Sequence, residues 1–173
     1  MSNEQNLFIA HCSLLILLTL MKVRRVNPTT DKDEWLRMRF ALWPDGSVEE
    51  YTADLDEMLA DDGWAVFVCE RPEGGLCGFL EISTRHDYVE GCDTSPVGYM
   101  EGWYVDEDMR RKGIGRQLFA AGEQWAVQKG FSEIGSDTWL DNEMSIAAHE
   151  ALGYKVAGRN VHFRKQLTMN NEQ

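Results

Sequence analysis

The chain is short of positive charge: its 173 residues include 17 Lys and Arg against 29 Asp and Glu, a formal net charge of −12. A protein that grips a phosphate backbone needs the opposite excess, so nucleic acid is excluded as the expected partner. The field of an acidic surface draws cationic ligands instead, although acidity also serves solubility alone. Cysteine is sparse too. Cys12, Cys69, Cys77 and Cys92 form no C-x-x-C pair and no spacing with histidine that would build a zinc site. No metal is expected, and the thiols read as reduced, small apolar groups in a cytosol. There are only 4 Pro, no tract rich in Pro and Gly, and no internal repeat. Without a linker, and with 43% hydrophobic residues, the chain reads as one domain able to bury a core.

Long apolar runs are missing as well. Leu7–Ala10 and Leu14–Leu20 are separated by His11, Cys12 and Ser13 and fall short of the roughly 20 apolar residues of a membrane span. Only Glu4 is charged ahead of them, so the cationic start of a signal peptide is absent, and no small-x-small cleavage site follows. No membrane association is expected. Residues 1–20 stand outside the fold, and Met21 offers an alternative start. Three readings of this leader stay open: upstream sequence without a role, a packing or dimerising segment, or a weak export signal.

From Met21 onward the pattern is continuous. Lys22–Asn27 reads as a strand, and Asn27–Asp31 as a helix start leading to Trp35, Leu36, Met38, Arg39 and Leu42 at near-helical spacing. Pro44–Ser47 turns the chain into a second helix with Val48, Tyr51, Leu55, Met58 and Leu59 on one stripe. Trp64–Cys69 and Leu76–Ile82 flank a Pro/Gly turn and predict a hairpin. A loop over 84–96 precedes a longer strand, Val97–Val105, and then a helix lined by Ile114, Leu118, Ala121 and Trp125. A strand over 131–136, a helix over about 143–152, and strands near 154–158 and 161–167 complete the reading. Strands and helices interleave around one sheet, which gives an α+β or mixed α/β class.

Chemistry concentrates in Arg110-Arg111-Lys112-Gly113-Ile114-Gly115-Arg116, which holds four cations, follows a strand and opens a helix. Free N–H groups and the macrodipole at a helix start attract anions, and glycine lets the main chain approach them. The segment is not a P-loop. It also lacks the third glycine of the dinucleotide fingerprint, where Leu118 stands. A phosphate-bearing cofactor and a solvated basic turn are the two readings of these residues.

Arg110, Gly113 and Gly115 match the Arg/Gln-x-x-Gly-x-Gly/Ala pyrophosphate motif of the GNAT superfamily of acetyl-CoA-dependent N-acetyltransferases, which the chain resembles. Leu42-Trp43-Pro44, the run Arg85–Asp93, Met100-Glu101-Gly102 and Ser136-Asp137-Thr138 are similar to the aminoglycoside 6'-N-acetyltransferases of that superfamily. The resemblance spans residues 21–167, leaving a leader of 1–20 and a tail of 168–173. It implies a mixed, mostly antiparallel sheet splayed at the fourth strand, with helices on both faces. The implied activity is transfer of acetyl from acetyl-CoA to the 6'-amine of aminoglycosides, conferring resistance, in a cytoplasmic homodimer joined through its C-terminal strands.

The resemblance also assigns residues. Trp103, Tyr104 and Val105 would hydrogen-bond the pantetheine arm, Arg110, Arg111, Lys112, Gly113, Ile114, Gly115 and Arg116 would cradle the pyrophosphate, and Asn142 would lie beside the cofactor. Trp43, Tyr88, Glu101 and Asp137 would take the antibiotic, whose ammonium groups call for carboxylates and whose sugar faces call for aromatics. Read from the residues alone, Asn142 is equally a helix cap, Trp43 a core anchor, Tyr88 a loop packer, Glu101 a solvent-facing strand residue and Asp137 a turn former. The implied chemistry is direct attack by a neutral amine, with Asp137 or Glu101 taking or relaying its proton. A main-chain N–H of the 103–105 segment would meet the charge developing on oxygen. Proximity alone can be worth roughly 7–11 kcal/mol. His149 stands where many superfamily members place a tyrosine that protonates the leaving thiolate. It is left with three roles: bonding the sulfur, donating a proton, or packing. His86 and His162 read as structural. Two further readings keep the fold: another amine acceptor, such as a polyamine, amino sugar or protein amine, or a non-catalytic acyl-CoA-binding module.

Overall fold

The computed structural model describes residues 21–166. The leader 1–20 and the tail 168–173 lie outside the described residues, as does Leu167. The chain divides after Asp137 into two units.

The first unit is built on a five-stranded sheet in sequence order: β1 (Val23–Arg25), β2 (Trp64–Glu70), β3 (Leu76–Arg85), β4 (Val97–Val105) and β5 (Ile134–Ser136). All pairs are antiparallel except β4–β5. β3 extends through Thr84 and Arg85, expected in a loop, because Gly98 and Val97 of β4 continue the ladder opposite them. The strands are apolar on both sides because helices cover both. On one side α1 (Lys32–Leu42) and α2 (Val48–Ala60) pack Trp35, Met38, Leu55 and Met58 onto Val66, Val68 and Phe79. Ser47 starts α2 with a reciprocal capping box to Glu50. Residues one position along each strand point the other way. There α3 (Ile114–Gln128) brings Gly122 against Leu80 and Met100, so closely that an added Cβ would lie 2.9 and 2.8 Å from them.

The strand expected over 131–136 is shorter because the end of α3 claims its first residues. Gly130 adopts φ +87°, Phe131 N–H donates to the Ala126 carbonyl at 3.0 Å, and the Phe131 ring packs edge-on against Trp125. This is a glycine-terminated helix closure.

β4 positions everything that follows. Opposite it, Glu81 pairs with Gly102 and Ile82 with Met100, so Glu101 is the extra residue of a bulge. On its other edge β4 pairs with β5 only from Gly98 to Met100. Beyond Met100, where β5 ends at Ser136, β4 runs on without a partner strand on that edge among the described residues, at the place of the expected splay.

The turn leaving β4 is pinned by Asp106. Its N–H donates to the Cys77 carbonyl at 2.8 Å, and its buried carboxylate accepts both Nη groups of Arg37 at 3.0 Å and Arg71 Nη2 at 2.8 Å. Burial pushes this carboxyl up, but the two guanidinium partners more than offset it and hold it below its ordinary range.

The second unit contains α4 (Glu143–Ala151), closed by Gly153 at φ +97°. The strands expected near 154–158 and 161–167 are not formed through residue 166. A strand pair without a third strand or a helix to cover it is marginal in water, and Val156, Val161 and Phe163 stand exposed.

Asp106→Ala removes a carboxylate that satisfies two guanidinium groups. The expected loss is about 2 kcal/mol of unfolding free energy, since hydrogen bonds to charged groups contribute roughly 1.5–3 kcal/mol. Urea denaturation measures it.

Candidate active site

The start of α3 is shaped for an anion. Gly113 occupies the N-cap in the left-handed region at φ +80°, offers no side-chain cap, and is followed by a first turn without acidic residues. Arg111 is the only non-glycine residue with positive φ, at +60°, among the described residues. Such a conformation costs free energy and marks a functional turn. Two residues in three are left-handed, and turns of this kind, with unpaired N–H groups at a helix start, are the arrangement that receives phosphate oxygens. Gly115 gives further closeness, since a Cβ there would meet Trp103 at 3.1 Å. A pyrophosphate therefore fits this turn. Arg110 is directed elsewhere: its Nε donates to the Val105 carbonyl at 2.9 Å and its guanidinium lies over Tyr104, so it anchors the turn to the end of β4. Lys112 Nζ lies 3.4 Å from Met109 Sδ, and Arg111 and Arg116 are exposed. Trp103 and Tyr104 are half-buried and Val105 is buried in the part of β4 beyond the splay.

The acceptor candidates gather around the bulge. The bulge turns Glu101 toward β3, where Ser83 Oγ and Arg85 Nε donate to its Oε1 and Arg85 Nη2 donates to Oε2 at 2.6 Å. The Arg85 guanidinium lies over the Tyr99 ring, 3.4 Å from its centroid. Tyr99 Oη in turn donates to Asp137 Oδ1 at 2.7 Å. Burial, and then this bond to a carboxylate, raise the Tyr99 phenol above its ordinary value, so it remains a donor. Glu101 and Asp137 are thus joined through Arg85 and Tyr99, yet they are not equivalent. Glu101 has a guanidinium on both oxygens, whereas Asp137 is exposed and accepts from a neutral hydroxyl.

The Trp43 indole rests on the neighbouring main chain, and an added Cβ on Gly102 would lie 2.3 Å from its Cη2. Tyr88 is 79% exposed on the loop before β4, while the adjacent Val89 buries against Val97 and Tyr99. The loop is closed by Ser95 Oγ donating to the His86 carbonyl at 2.8 Å, and by Glu133 accepting the N–H groups of Asp93 and Thr94.

In the second unit Asn142 caps α4, its Oδ1 accepting Ser145 N–H at 3.1 Å. His149 Nδ1 lies 2.8 Å from the Ser145 carbonyl and its ring meets Tyr154 edge-on. A carbonyl only accepts, so Nδ1 carries the hydrogen. In the neutral ring Nε2 is then an acceptor, and the ring becomes a donor there only as an imidazolium.

Around these residues stand four side chains to which the motif reading gave no role: Arg85, Arg39, Glu81 and Asp106. Glu81 carried a signal, being the one acid inside the apolar run Leu76–Ile82. It is buried, accepts Trp35 Nε1 at 2.7 Å and lies 3.5 Å from Arg39 Nε. Burial raises its carboxyl to about 7, with Arg39 and Trp35 only partly opposing. Among the described residues no group of three or more His, Cys, Asp or Glu is placed to hold a metal ion.

A splayed β4 running into a glycine-rich, anion-seeking helix start defines the class. Residues 32–154 match the family model of the Acetyltransferase (GNAT) family, and the chain belongs to that family of acetyl-CoA-dependent enzymes. Within it, the chain's homologues are aminoglycoside N(6')-acetyltransferases type 1. It is 42% identical over 135 residues to the one from Serratia marcescens, covering 78% of this chain and 92% of that protein. Against the one from Salmonella typhimurium, identity is 39% over 146 residues, or 84% and 99% of the two chains. Among solved structures, AAC(6')-Iy in complex with the bisubstrate analog CoA-S-monomethyl-acetylneamine superposes with a TM-score of 0.80 at 38% identity, covering 85% of this chain and 99% of that one. AAC(6')-Ih from Acinetobacter baumannii gives 0.79 at 32% identity, with 86% and 99% covered.

Glu81 provides a pH test of the site's interior. The native state keeps this proton up to about pH 7, whereas the unfolded chain releases it near its ordinary value of 4.5. Native protein therefore binds more protons in that interval, and stability falls as pH rises through it. Glu81→Gln, which mimics the protonated form, should gain about 2–3 kcal/mol on wild type between pH 5 and pH 8. Denaturation curves at the two pH values measure this; a constant difference would show an ionised Glu81 throughout.

Proposed function

We propose that the enzyme transfers the acetyl group of acetyl-CoA to the 6'-amine of aminoglycoside antibiotics by direct attack, and so confers resistance to them. The observation that carries this reading is the dual use of β4. Its C-terminal end leads into an uncapped, basic helix start, and its bulge carries Glu101, tied through Arg85 and Tyr99 to Asp137.

The cofactor supplies an activated acetyl group as a thioester. On this reading the N–H groups at 113–116, with Arg111, Lys112 and Arg116, hold its pyrophosphate, while Arg110 fixes the turn. The main chain of 103–105 aligns the pantetheine arm beyond the splay, and Asn142 flanks the cofactor while capping α4. Trp43 and Tyr88 cover sugar faces. Asp137, without a guanidinium of its own, attracts the substrate ammonium and takes or relays its proton. Glu101, already compensated by Arg85, orients donors of the substrate. Both oxygens of Glu101 are taken by Arg85, whereas Asp137 is exposed and accepts only from a hydroxyl, which favours Asp137 over Glu101 for the proton. The N–C bond forms as the C–S bond breaks, and His149 protonates the departing sulfur only when its ring is charged.

We place the acetyltransferase domain at 21–167. The free thiols of Cys69, Cys77 and Cys92 fit a cytoplasmic location. Association into a homodimer is supported by the uncovered Val156, Val161 and Phe163 in the segment expected to form strands.

Thiol release measured with kanamycin-type substrates and their 6'-hydroxyl analogues tests the acceptor. Turnover is expected only with the 6'-amine, and activity confined to compounds lacking it overturns the reading. Asp137→Asn should lower kcat/KM by about 100-fold, within the range for losing a positioned proton acceptor, with little change in Tm. Gly113→Asp puts a side chain and a negative charge at the left-handed N-cap. It should raise the KM for acetyl-CoA at least about tenfold, and an unchanged value removes the loop from the cofactor site.

A further inference from the structure

We propose that Arg39 is a positioning residue for the acceptor: its guanidinium packs on the Trp43 indole, which rests on the main chain of the β4 bulge, with Asp54 as its counter-charge and the Glu81 carboxyl beside it. The inference rests on the acceptor site assigned above and names a residue outside it.

Arg39 lies in the last turn of α1, and its side chain is 8% exposed. A buried guanidinium is expensive unless each N–H finds an acceptor, and an apolar residue would fill the same space at less cost. Here the hydrogen bonding is incomplete. Nη2 donates to Asp54 at 3.2 Å and Nε stands 3.5 Å from Glu81 Oε1. Among the described residues, however, Nε and Nη1 make no hydrogen bond. The cation lies instead against two rings, 5.2 Å from the centroid of Trp43 and 4.9 Å from that of Tyr51. Both distances fall within the reach of cation–π attraction, which strengthens as water is excluded.

These contacts close on Trp43. Tyr51 Oη donates to the Trp43 carbonyl at 2.6 Å, and Trp43 N–H donates to the Arg39 carbonyl at 2.7 Å. The indole also meets Gly102, where a Cβ would lie 2.3 Å from Cη2 and 2.7 Å from Cζ2, and the Phe79 ring, 6.4 Å away between centroids. The ring is therefore in contact with both the planar cation and the bare main chain of Gly102, one residue from Glu101. Glu81 stands opposite Gly102 in the register, so one buried carboxylate faces both the clamp and the bulge. A purely structural residue has no need of a flat charged face at this place; a residue that fixes the tilt of a ligand-covering ring does.

The test uses the full chain and begins with the wild type. If no 6'-amine is acetylated, the acceptor assignment fails, and the comparison below moves to whichever amine of a panel is turned over. Arg39→Met should raise the acceptor KM about tenfold while kcat and the KM for acetyl-CoA stay within about twofold. In a Trp43→Ala background the same change should add nothing, since its effect passes through the indole. A lower Tm with an unchanged acceptor KM, equal shifts in both KM values, or independent effects of Arg39→Met and Trp43→Ala would each overturn the proposal. Should Arg39→Met fail to fold, Gly102→Ala pushes on the ring directly. It must give the same selective rise in acceptor KM, and an unchanged value refutes the clamp.

Discussion

Unequal pairing of the two edges of β4 is the constraint from which the rest of this enzyme follows. One edge is hydrogen-bonded to β3 along the strand, which makes it rigid. The other is bonded to β5 for three residues and then released. Main chain in the core of a protein requires hydrogen-bonding partners, so a strand released from its neighbour offers its groups to a ligand. The single extra residue at Glu101 bends β4 where the release begins. The bulge at Glu101 and the end of the β5 pairing fall together on β4.

Rigidity around this feature comes from charge as much as from apolar packing. Asp106 ties the exit of β4 to α1 and to the β2–β3 hairpin. Arg85 ties the bulge to the end of β3, and Glu133 fixes the loop before β4. Each is a carboxylate–guanidinium or carboxylate–amide contact between elements that the sheet alone would leave loosely joined. The acidity of the chain therefore has two uses. Some carboxylates stand in solvent, and a few are committed to holding cationic side chains in one geometry.

Much of the fold was legible because its signals are local. The stripes of α1 and α2 and the turn at 71–75 are written in adjacent residues, and the long strand before a basic glycine-rich segment is equally plain. The turn proposed for the cofactor was legible as a glycine-rich helix start for the same reason, since it needs only a few consecutive residues. The acceptor side was legible in its residue types but not in their division of labour. Glu101 and Asp137 look alike in sequence, and only the placement of Arg85, sixteen positions before Glu101, separates a carboxylate paired with a guanidinium from one bonded to a phenol. Arg39 and Glu81, forty-two positions apart, meet only because α1 crosses β3. The strands expected after Gly153 failed for the complementary reason: their alternation is clear, but alternation does not supply a neighbour to bond with.

Gly113 and Arg111 bear on how such an enzyme drifts over generations. On the proposed reading, a nucleotide seat fashioned from peptide groups leaves little trace in the chemistry of the surrounding side chains, so the cations near it can be exchanged or relocated while the seat keeps its shape. What inheritance must preserve there is handedness at two points of the backbone. A lineage can therefore look poorly kept along this turn by residue identity and still carry an intact grip on its donor.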